Sequence, residues 1–370
     1  MKKIGLIVNP VAGIGGRAGY KGSDDPENQE KAILAGYEKA AWKRAKDCMQ
    51  LIKGLDGYQL YSPAGEMGGE VLEMLGLSCR QVYVPGVPTT RADTHSCLEK
   101  LMAEKVDLVV FCGGDGTARD VCQVCGHQVP VLGIPAGVKM YSGCFAVNPR
   151  IAGNLLRDYI LGRNVSFELR EVMDLDEAFL GRYCVNAKLY GYLLALNQGV
   201  SLQGSKAASA VDPFEAELLA EELVSRMQED VLYIIGPGST TFKIKEHLGV
   251  DGTLIGVDAV KNRQLIAKDA DELTLLRLLA ENPSAKIIVT CIGGAGFVFG
   301  RGNQQISANV IQRVGKENIQ LAVTKSKLLS LNQRPMYVDT GDAKIDSYLA
   351  GYYKIPLSSQ ESTVYKIQNI

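Results

Sequence analysis

The chain has 370 residues, of which 46% are hydrophobic and 22% charged, which is enough length and apolar material for two globular domains. Its 40 basic and 41 acidic residues give a net charge of −1, so no basic excess indicates binding to nucleic acid or to an anionic membrane. No apolar stretch has the length of a membrane span, and nine irregularly spaced cysteines are typical of reduced thiols. We therefore expect a cytoplasmic protein.

The first part of the chain alternates strand-like and helix-like segments. Short apolar runs at residues 3–9, 59–62, 108–112 and 129–134 have the length and composition of buried strands. This order predicts the α/β class, with a Rossmann-like, doubly wound parallel sheet and ligand loops at the carboxyl ends of its strands. We expect this domain to span residues 1–150.

The most informative segment reads Phe-Cys-Gly-Gly-Asp-Gly-Thr over residues 111–117 and follows an apolar strand. Because glycines lack Cβ atoms, the backbone N–H groups around Gly113, Gly114 and Gly116 can approach a phosphate chain, and the helix start that follows adds a positive dipole end. A carboxylate repels phosphate, so Asp115 predicts a second task, either accepting a proton from a hydroxyl or holding a metal ion. Thr117 completes the predicted phosphate turn.

A second glycine-rich turn ends the first strand, and it should lie on the same edge of the sheet as the first. Two such turns form a better phosphate cradle than one. Two lysines in nearby loops, Lys21 and Lys139, are each either phosphate ligands or ordinary solvated side chains. The residues of the second turn that we assign to phosphate binding are Asn9, Pro10, Gly13, Gly15 and Gly16.

From about residue 164 the pattern changes to shorter, partly alternating runs, which predict a β-rich domain over residues 151–370. An α/β rhythm returns at about residues 230–331 and is interpreted as an insertion in that domain. Within it, a strand–loop–helix turn either binds phosphate or is a capped helix start. Its candidate residues are Gly238, Ser239 and Thr240.

A glycine-rich loop near residue 300 carries several amide and guanidinium side chains. Arg301, Asn303 and Gln304 suit recognition of a base amide or a phosphate, with a solvated loop as the alternative. Two acidic residues further on, Asp339 and Asp342, are expected to form turns rather than to bind a metal ion. The sequence therefore predicts no metal site made by the chain itself.

These motifs together resemble those of the predicted ATP- or polyphosphate-dependent NAD kinases of bacteria and archaea, and the acetoin-catabolism protein X group is similar. The resemblance covers most of the chain. It rests on Gly-Gly-Asp-Gly-Thr-Ala-Arg-Asp at 113–120, on the turn at 9–16, on Gly-Ile-Pro-Ala-Gly-Val-Lys-Met at 133–140, and on the segments 300–307 and 338–342.

The resemblance implies a Rossmann-like N-terminal domain, a β-rich C-terminal domain and an active site between them. It implies that Asp115 accepts a proton from, or orients, the 2′-hydroxyl of the adenosine ribose of NAD. The glycines of residues 113–116 and Thr117 would line the donor triphosphate or the NAD pyrophosphate. The implied reaction makes NADP from NAD with ATP or polyphosphate as donor and Mg²⁺ as cofactor, in a homo-oligomeric protein.

Two alternatives stay open at this point. The same phosphoryl-transfer machinery can serve a lipid or another small-molecule acceptor, although the chain has no amphipathic membrane-binding stretch. A different class is a nucleotide-binding accessory or sensor protein without turnover, which the resemblance to the acetoin-catabolism group allows. An assay with ATP, Mg²⁺ and NAD distinguishes the three.

Overall fold

The computed structural model of the chain describes residues 1–20, 26–137, 140–163, 165–175, 187–197, 213–292, 296–357 and 361–369. The predicted phosphate ligands Lys21 and Lys139 lie outside these described residues. The chain forms two compact units. The first comprises Met1–Gly15 and Gly22–Ser205, and the second comprises Gly16–Lys21 and Lys206–Ile370.

The first unit alternates strands and helices, as the sequence pattern predicted. Its strands are β1 (Lys2–Val8), β2 (Tyr58–Pro63), β3 (Cys79–Tyr83), β4 (Leu108–Gly113), β5 (Val131–Pro135), β6 (Ser166–Leu175) and β7 (Ala187–Asn197). Its helices are α1 (Pro26–Leu34), α2 (Ala41–Met49), α3 (Gly69–Leu75), α4 (Arg91–Ala103), α5 (Asp115–Cys125) and α6 (Pro149–Ile160).

These strands form one seven-stranded sheet in the order β3-β2-β1-β4-β5-β7-β6. All the strand pairs are parallel except that of β6 with β7, which is antiparallel. The chain builds outward from β1 to β3 and then returns to place β4 on the other side of β1, so the order reverses between β1 and β4. This confirms the doubly wound class, and the reversal is where such sheets bind ligands.

The two strands at the reversal are deeply buried. Every residue of β4 is buried, and so are the last five of β1. Continuous apolar runs of this kind occur where both faces of a parallel sheet are covered. The strands β6 and β7, which the sequence pattern placed after residue 150, extend this same sheet by pairing β7 with β5.

The second unit contains two sheets. Its strands are β8 (Leu232–Ile235), β9 (Asp258–Lys261), β10 (Gln264–Ala267), β11 (Ala285–Val289), β12 (Phe297–Phe299), β13 (Ile319–Leu321), β14 (Met336–Val338), β15 (Gly351–Pro356) and β16 (Ser362–Asn369). Its helices are α7 (Pro213–Ser225), α8 (Ser239–His247), α9 (Glu272–Glu281), α10 (Ala308–Val314), α11 (Lys325–Ser330) and α12 (Ala343–Leu349).

The larger sheet has the order β10-β9-β8-β11-β13, and the smaller has the order β12-β14-β16-β15. Because β8, β11 and β13 are parallel, the carboxyl ends of three consecutive strands meet at one edge of the larger sheet. The second unit thus combines a parallel α/β layer with a further β-rich region, as predicted for the α/β segment and the tail. No helix within the described ranges is long and apolar enough to cross a membrane.

A short stretch near the N-terminus belongs to the second unit although the residues on both sides of it belong to the first. The carbonyl of Arg17 accepts the N–H of Glu272 at 3.0 Å, and the two side chains lie 3.8 Å apart. A methyl group added at Gly16 would collide with the side-chain oxygen of Gln304. This stretch therefore contributes to the packing of the second unit.

The sequence pattern of residues 253–257 predicts a strand, but this prediction is wrong, and β9 begins only at Asp258. The Asp258 carboxylate accepts the N–H of Thr253 at 2.7 Å and also its hydroxyl. It accepts the N–H of Asp269 as well, at 2.8 Å. Because Thr253 is folded back onto this carboxylate, the residues between them form a turn instead of an extended strand.

The same carboxylate forms a buried ion pair with Lys245 of α8, whose Nζ lies 2.7 Å from Asp258 Oδ2. Both side chains are fully buried, and the ammonium also donates to the carbonyls of Thr253 and Gly256. Burial lowers the pKa of Lys245, and Asp258 offsets part of that effect. The pair is thus fully hydrogen-bonded.

Replacing Lys245 by methionine should lower the free energy of unfolding by on the order of 3 kcal/mol, because it leaves the Asp258 charge buried without a counter-charge. Urea unfolding measures the effect. Lys243→Met on the same helix is the matched control, since Lys243 pairs with Glu246 at the surface and such a pair contributes about 0.5 kcal/mol. Equal losses in the two variants would contradict the prediction.

Candidate active site

The candidate site lies where β4 ends and α5 begins. The strand ends at Gly113, Gly114 precedes the helix in an extended conformation, and α5 begins at Asp115. A methyl group added at Gly113 would collide with the side chain of Thr117, so glycine is required there. The first N–H groups of a helix have no partner within it and carry partial positive charge. The predicted strand–glycine–helix turn is confirmed, and it has the geometry of an anion-binding helix start.

The turn after β5 packs against the glycine-rich loop between β4 and α5 through contacts of the two backbones. The carbonyl of Gly113 accepts the N–H groups of Ala136 (2.9 Å) and Gly137 (3.2 Å). A methyl group added at Gly137 would lie 2.7 Å from the Cα of Gly114. One added at Gly13 would collide with the carbonyl oxygen of Ala136, and Gly13 also has a positive φ of 76°. Glycines thus allow three turns to come together at the strand ends.

Asn9 connects two of these turns through its side chain. Its Nδ2 donates to Thr117 Oγ1 at 3.0 Å, and its Oδ1 accepts the N–H of Val11 at 3.2 Å. Because β1 and β4 are parallel neighbours, the prediction that the turn after β1 lies on the same sheet edge as residues 113–117 is confirmed. Pro10 and Gly15 of that turn are buried.

Asp115 occupies the first position of α5 and is only 5% exposed. Its Oδ2 accepts the N–H of Tyr141 at 2.6 Å, and its Oδ1 accepts the N–H of Ser142 at 3.0 Å. The Ser142 hydroxyl is bonded to the backbone of Met173, which fixes the segment that carries both amides. Because the two backbone donors bind different oxygens, they fix the orientation of the carboxylate.

The protonation of Asp115 is set by its surroundings. The pKa of Asp115 is raised from 3.8 to about 7, chiefly by burial and in smaller part by the charge of Asp174, while hydrogen bonds from Ser142 and Tyr141 oppose this rise. Asp174 is itself paired with Arg119, whose Nη1 lies 3.2 Å from its Oδ2. A carboxyl group with a pKa near neutrality is suited to accept a proton at physiological pH.

Substituting Asp174 by asparagine should lower the pKa of Asp115, because it removes a nearby negative charge. The midpoint of the rising limb in the pH profile of kcat/KM should move down by the same amount. Asp56→Asn, at an exposed turn of the same unit, should leave the midpoint in place. An unchanged midpoint in Asp174→Asn would mean that another group controls the profile.

In the second unit, the predicted phosphate turn adopts the expected strand–loop–helix form. Gly238 has a φ of 125°, and its N–H donates to the carbonyl of Leu254 at 2.8 Å. Ser239 and Thr240 form the first turn of the nine-residue α8. The Thr241 hydroxyl donates to the carbonyl of Gly238 at 3.0 Å. The helix start is therefore present, and its binding of phosphate remains a proposal.

In the loop near residue 300, one predicted ligand residue, Asn303, forms hydrogen bonds within the loop and so stabilises it. Asn303 accepts the N–H of Gly300 at 3.1 Å and donates to the carbonyl of Val298 at 2.8 Å. The guanidinium of Arg301 lies 4.4 Å from the ring centre of Phe297 and 3.9 Å from the carboxylate of Asp339. Asp342, which was expected to form a turn, accepts the N–H groups of Lys344 and Ile345 and so caps the start of α12.

Sequence reasoning missed the groups that orient Asp115. Tyr141 and Ser142 act through backbone N–H groups, which leave no signal in the sequence. Asp174 lies on an antiparallel strand far along the chain, where no motif marks it. Arg119, which pairs with Asp174, lies inside the 113–120 motif. It is therefore the one residue of this group that a search for motifs could have found.

No cluster of three or more histidine, cysteine or acidic side chains suited to a metal ion occurs in the part of the chain that the structure describes. The acids nearest to such a role are Asp115 and Asp174. Mg²⁺ needs only one or two carboxylates when nucleotide phosphates and water complete its octahedron. The donor set therefore fits a metal ion that arrives with a nucleotide, not one held in a protein cage.

A doubly wound sheet with a glycine-flanked, buried carboxylate at its reversal point is typical of α/β proteins that bind nucleotides. The model of the ATP-NAD kinase N-terminal domain matches residues 4–163, and that of the ATP-NAD kinase C-terminal domain matches residues 228–367. The two matches cover most of the chain, which therefore belongs to the NAD kinase family, as its motifs predicted.

No curated protein matches the chain. Among solved structures, it is similar to a UDP-GlcNAc 2-epimerase from Neisseria meningitidis bound to UDP-GlcNAc, at 13% identity. That match covers 92% of this chain and 78% of the epimerase chain with a TM-score of 0.23. A likeness this weak supports no conclusion about function.

Proposed function

We propose that the chain is an NAD kinase, which transfers a phosphoryl group from ATP or polyphosphate to the 2′-hydroxyl of the adenosine ribose of NAD and so produces NADP. The observation that carries the proposal is Asp115, a buried carboxylate with a pKa of about 7 inside a glycine-rich helix start. Membership of the NAD kinase family supports it.

In this reaction Asp115 orients the 2′-hydroxyl and accepts its proton as the oxygen attacks the transferred phosphorus. A new O–P bond forms on the ribose, and the bond between the transferred phosphorus and its bridging oxygen breaks, so that ADP or a shortened polyphosphate leaves. The amides of Tyr141 and Ser142 hold the carboxylate in place for this step. Positioning and charge stabilisation supply most of the catalysis in phosphoryl transfer.

The phosphates would be bound by the turns around α5. The first-turn amides of α5 and the backbone of Gly113, Gly114, Gly116 and Thr117 supply donors, and the turn that contains Asn9 and Gly13 is held against them. We assign Lys21 and Lys139 to the same phosphates as point charges. Mg²⁺, when bound with the nucleotide, would neutralise phosphate oxygens, with Asp115 and Asp174 as the carboxylates nearest to that role.

The acceptor side of the proposal rests on the loop near residue 300. Because the Asn303 amide closes its own loop, we assign ligand recognition chiefly to Arg301 and Gln304, with Asn303 as the residue that shapes the loop. A guanidinium stacked on an aromatic ring and a nearby amide suit a phosphate or a base edge. With Arg301 and Gln304 as its ligands, we propose NAD as the phosphoryl acceptor.

The decisive experiment incubates purified protein with Mg²⁺, NAD and either ATP or polyphosphate, and measures NADP with an NADP-specific dehydrogenase. NADP formation supports the proposal, and the comparison of donors identifies the phosphoryl source. Nucleotide binding without NADP would favour the sensor alternative. Consumption of ATP only with another acceptor would favour a different kinase.

We further propose that the protein works in the cytoplasm as a homo-oligomer. The eight described cysteines are all free thiols, which suits a reducing compartment. Light scattering coupled to gel filtration measures the oligomeric state directly, and a monomeric mass would contradict that part of the proposal.

A further inference from the structure

A second site is indicated at the edge of the larger sheet of the second unit, where the parallel strands β8, β11 and β13 end. Each strand end leads into a different polar feature. After β8 the chain turns through Gly238 into α8, after β11 it reaches Thr290, and after β13 it enters α11, which carries Lys327. The carboxyl edge of a parallel sheet is where α/β proteins bind ligands.

These features contact one another. A methyl group added at Gly238 would lie 2.8 Å from the Cγ2 of Thr290, so the helix start is packed closely on Thr290. The Nζ of Lys327 lies 3.0 Å from Thr290 Oγ1 and 3.4 Å from the carbonyl of Cys291. The glycine turn, the threonine hydroxyl and the ammonium are thus neighbours.

Lys327 is only 5% exposed, and among the described residues its ammonium has no carboxylate partner. The contrast with Lys245 in the same unit is direct, because that buried ammonium has Asp258 at 2.7 Å and two carbonyls. An ammonium buried without a counter-charge is costly, and burial lowers the pKa of Lys327 accordingly. An anion beside Lys327 would reverse that cost.

Thr240 gives an independent indication from the first turn of α8. Its side chain is fully buried, and its hydroxyl has no hydrogen-bond partner among the described residues. A buried hydroxyl without a partner lowers the stability of the fold. The positive end of the nine-residue α8 is at the same turn. Every group here is a donor or a positive charge that an oxyanion would satisfy.

We infer that Lys327, Thr290 and the first turn of α8, with Thr240, form a binding site for a phosphate group in the second unit. The sequence had suggested the α8 turn alone, and the structure adds Lys327 as the charge that selects an anion and Thr290 as the residue that positions it. The inference deepens the proposed function in that the phosphate belongs to one of its substrates, but the site does not involve Asp115. The ligand is a phosphate monoanion or dianion, free or within a nucleotide.

The test titrates wild-type protein with inorganic phosphate, inorganic triphosphate, ATP and NAD separately, at ionic strength held constant with KCl, by calorimetry and by thermal unfolding. Lys327→Met should weaken binding of at least one of these ligands by about tenfold or more, since a charge-assisted hydrogen bond is lost. The ligands that are weakened identify the source of the phosphate. Unchanged affinity for all four would overturn the site.

The unfolding temperature of the ligand-free variants shows whether Lys327 and Thr240 have a binding role or a structural one. For a binding site, Lys327→Met and Thr240→Val should each unfold at a higher temperature than wild type, because the first removes a buried charge without a counter-charge and the second removes a buried hydroxyl without a partner. The same variants should gain less stability from the ligand. Lower stability together with unchanged ligand response would show that both residues are structural. Lys243→Met, on the surface of α8, is the matched control and should change stability only slightly and leave the ligand response unchanged.

Two further comparisons separate this inference from the proposed function. Asp115→Asn should retain the response to phosphate that depends on Lys327, even when it forms no NADP. If wild-type protein makes no NADP but loses phosphate affinity in Lys327→Met, the site stands and the kinase assignment fails. If NADP is made and Lys327→Met binds all four ligands normally, the kinase assignment stands and the site fails.

Discussion

Asp115→Asn is expected to lower kcat for NADP formation by about 10²- to 10⁴-fold, the usual contribution of a general base, while nucleotide affinity stays within about threefold of wild type. The amide is nearly the same size but cannot accept the hydroxyl proton. Steady-state rates with NADP detection give kcat, and calorimetry gives the affinity. Asp120→Asn on the same helix is the matched control, since Asp120 pairs with Arg91 and His95 and has no part in the proposed chemistry.

The same substitution has a signature in stability. Because burial raises the pKa of Asp115 from 3.8 to about 7, the folded protein binds this proton more tightly than the unfolded chain. The free energy of unfolding should therefore fall as the pH rises from about 4 to about 7, by on the order of 4 kcal/mol for three pKa units. This component of the slope should be missing in Asp115→Asn. A slope identical to wild type would mean that Asp115 is already ionised across this range.

The wild-type rate should follow the same ionisation. Since Asp115 accepts a proton only as a carboxylate, kcat/KM should rise with pH and reach half its plateau near pH 7. Activity is thus gained in the range where the buried charge lowers stability. A rate that is independent of pH between 5 and 8 would contradict the role of Asp115 as a base.

Gly13→Ala is expected to lower kcat/KM by about a hundredfold, because a displacement of about 1 Å in a positioning loop can have an effect of that size. The added methyl group would collide with the carbonyl of Ala136, in the turn that is hydrogen-bonded to Gly113. Neither backbone can yield without moving the loop that carries Asp115. Steady-state kinetics and urea unfolding measure the two consequences.

The matched control for that prediction is Gly36→Ala. Both glycines have positive φ angles, 76° for Gly13 and 87° for Gly36, so both variants have a comparable backbone strain of about 1–2 kcal/mol. A methyl group at Gly36 would meet nothing within 4 Å. Gly36→Ala should therefore lose a little stability and keep its kinetics. If the two variants lose activity equally, the close approach of the turns is not what matters.

The sequence predicted the centre of the site well because its signals are local. A buried strand, three glycines and a helix start occupy consecutive positions at residues 108–117, and the parallel order of strands then places the turn after β1 beside them. The edge strand β3 was missed because three of its five residues are exposed and it lacks the continuous apolar run of a buried strand. Residues 28–51 have helical spacing in the sequence, but the structure divides them between α1 and α2, because Gly36 has a positive φ that cannot be part of a right-handed helix.

What the sequence could not predict depends on tertiary contacts. The pKa of Asp115 is set by burial and by Asp174, which is 59 positions away in the chain. Lys327 has the spacing of an ordinary helical lysine, and only the structure shows that it is buried beside Thr290. The sequence shows which residues are charged, but it does not show which opposite charges the fold places beside them.

Neither unit of this protein corresponds to one uninterrupted piece of chain, because residues 16–20 pack with the second unit and their flanking residues with the first. A fragment that begins after residue 205 would lack the carbonyl of Arg17 that receives the Glu272 N–H, and also the segment that packs on Gln304. Such a fragment should be weakened, and a short peptide of this stretch added in trans should partly restore it. Expressing the second unit from residue 206 onward would thus separate residues 16–20 from the unit whose packing they complete.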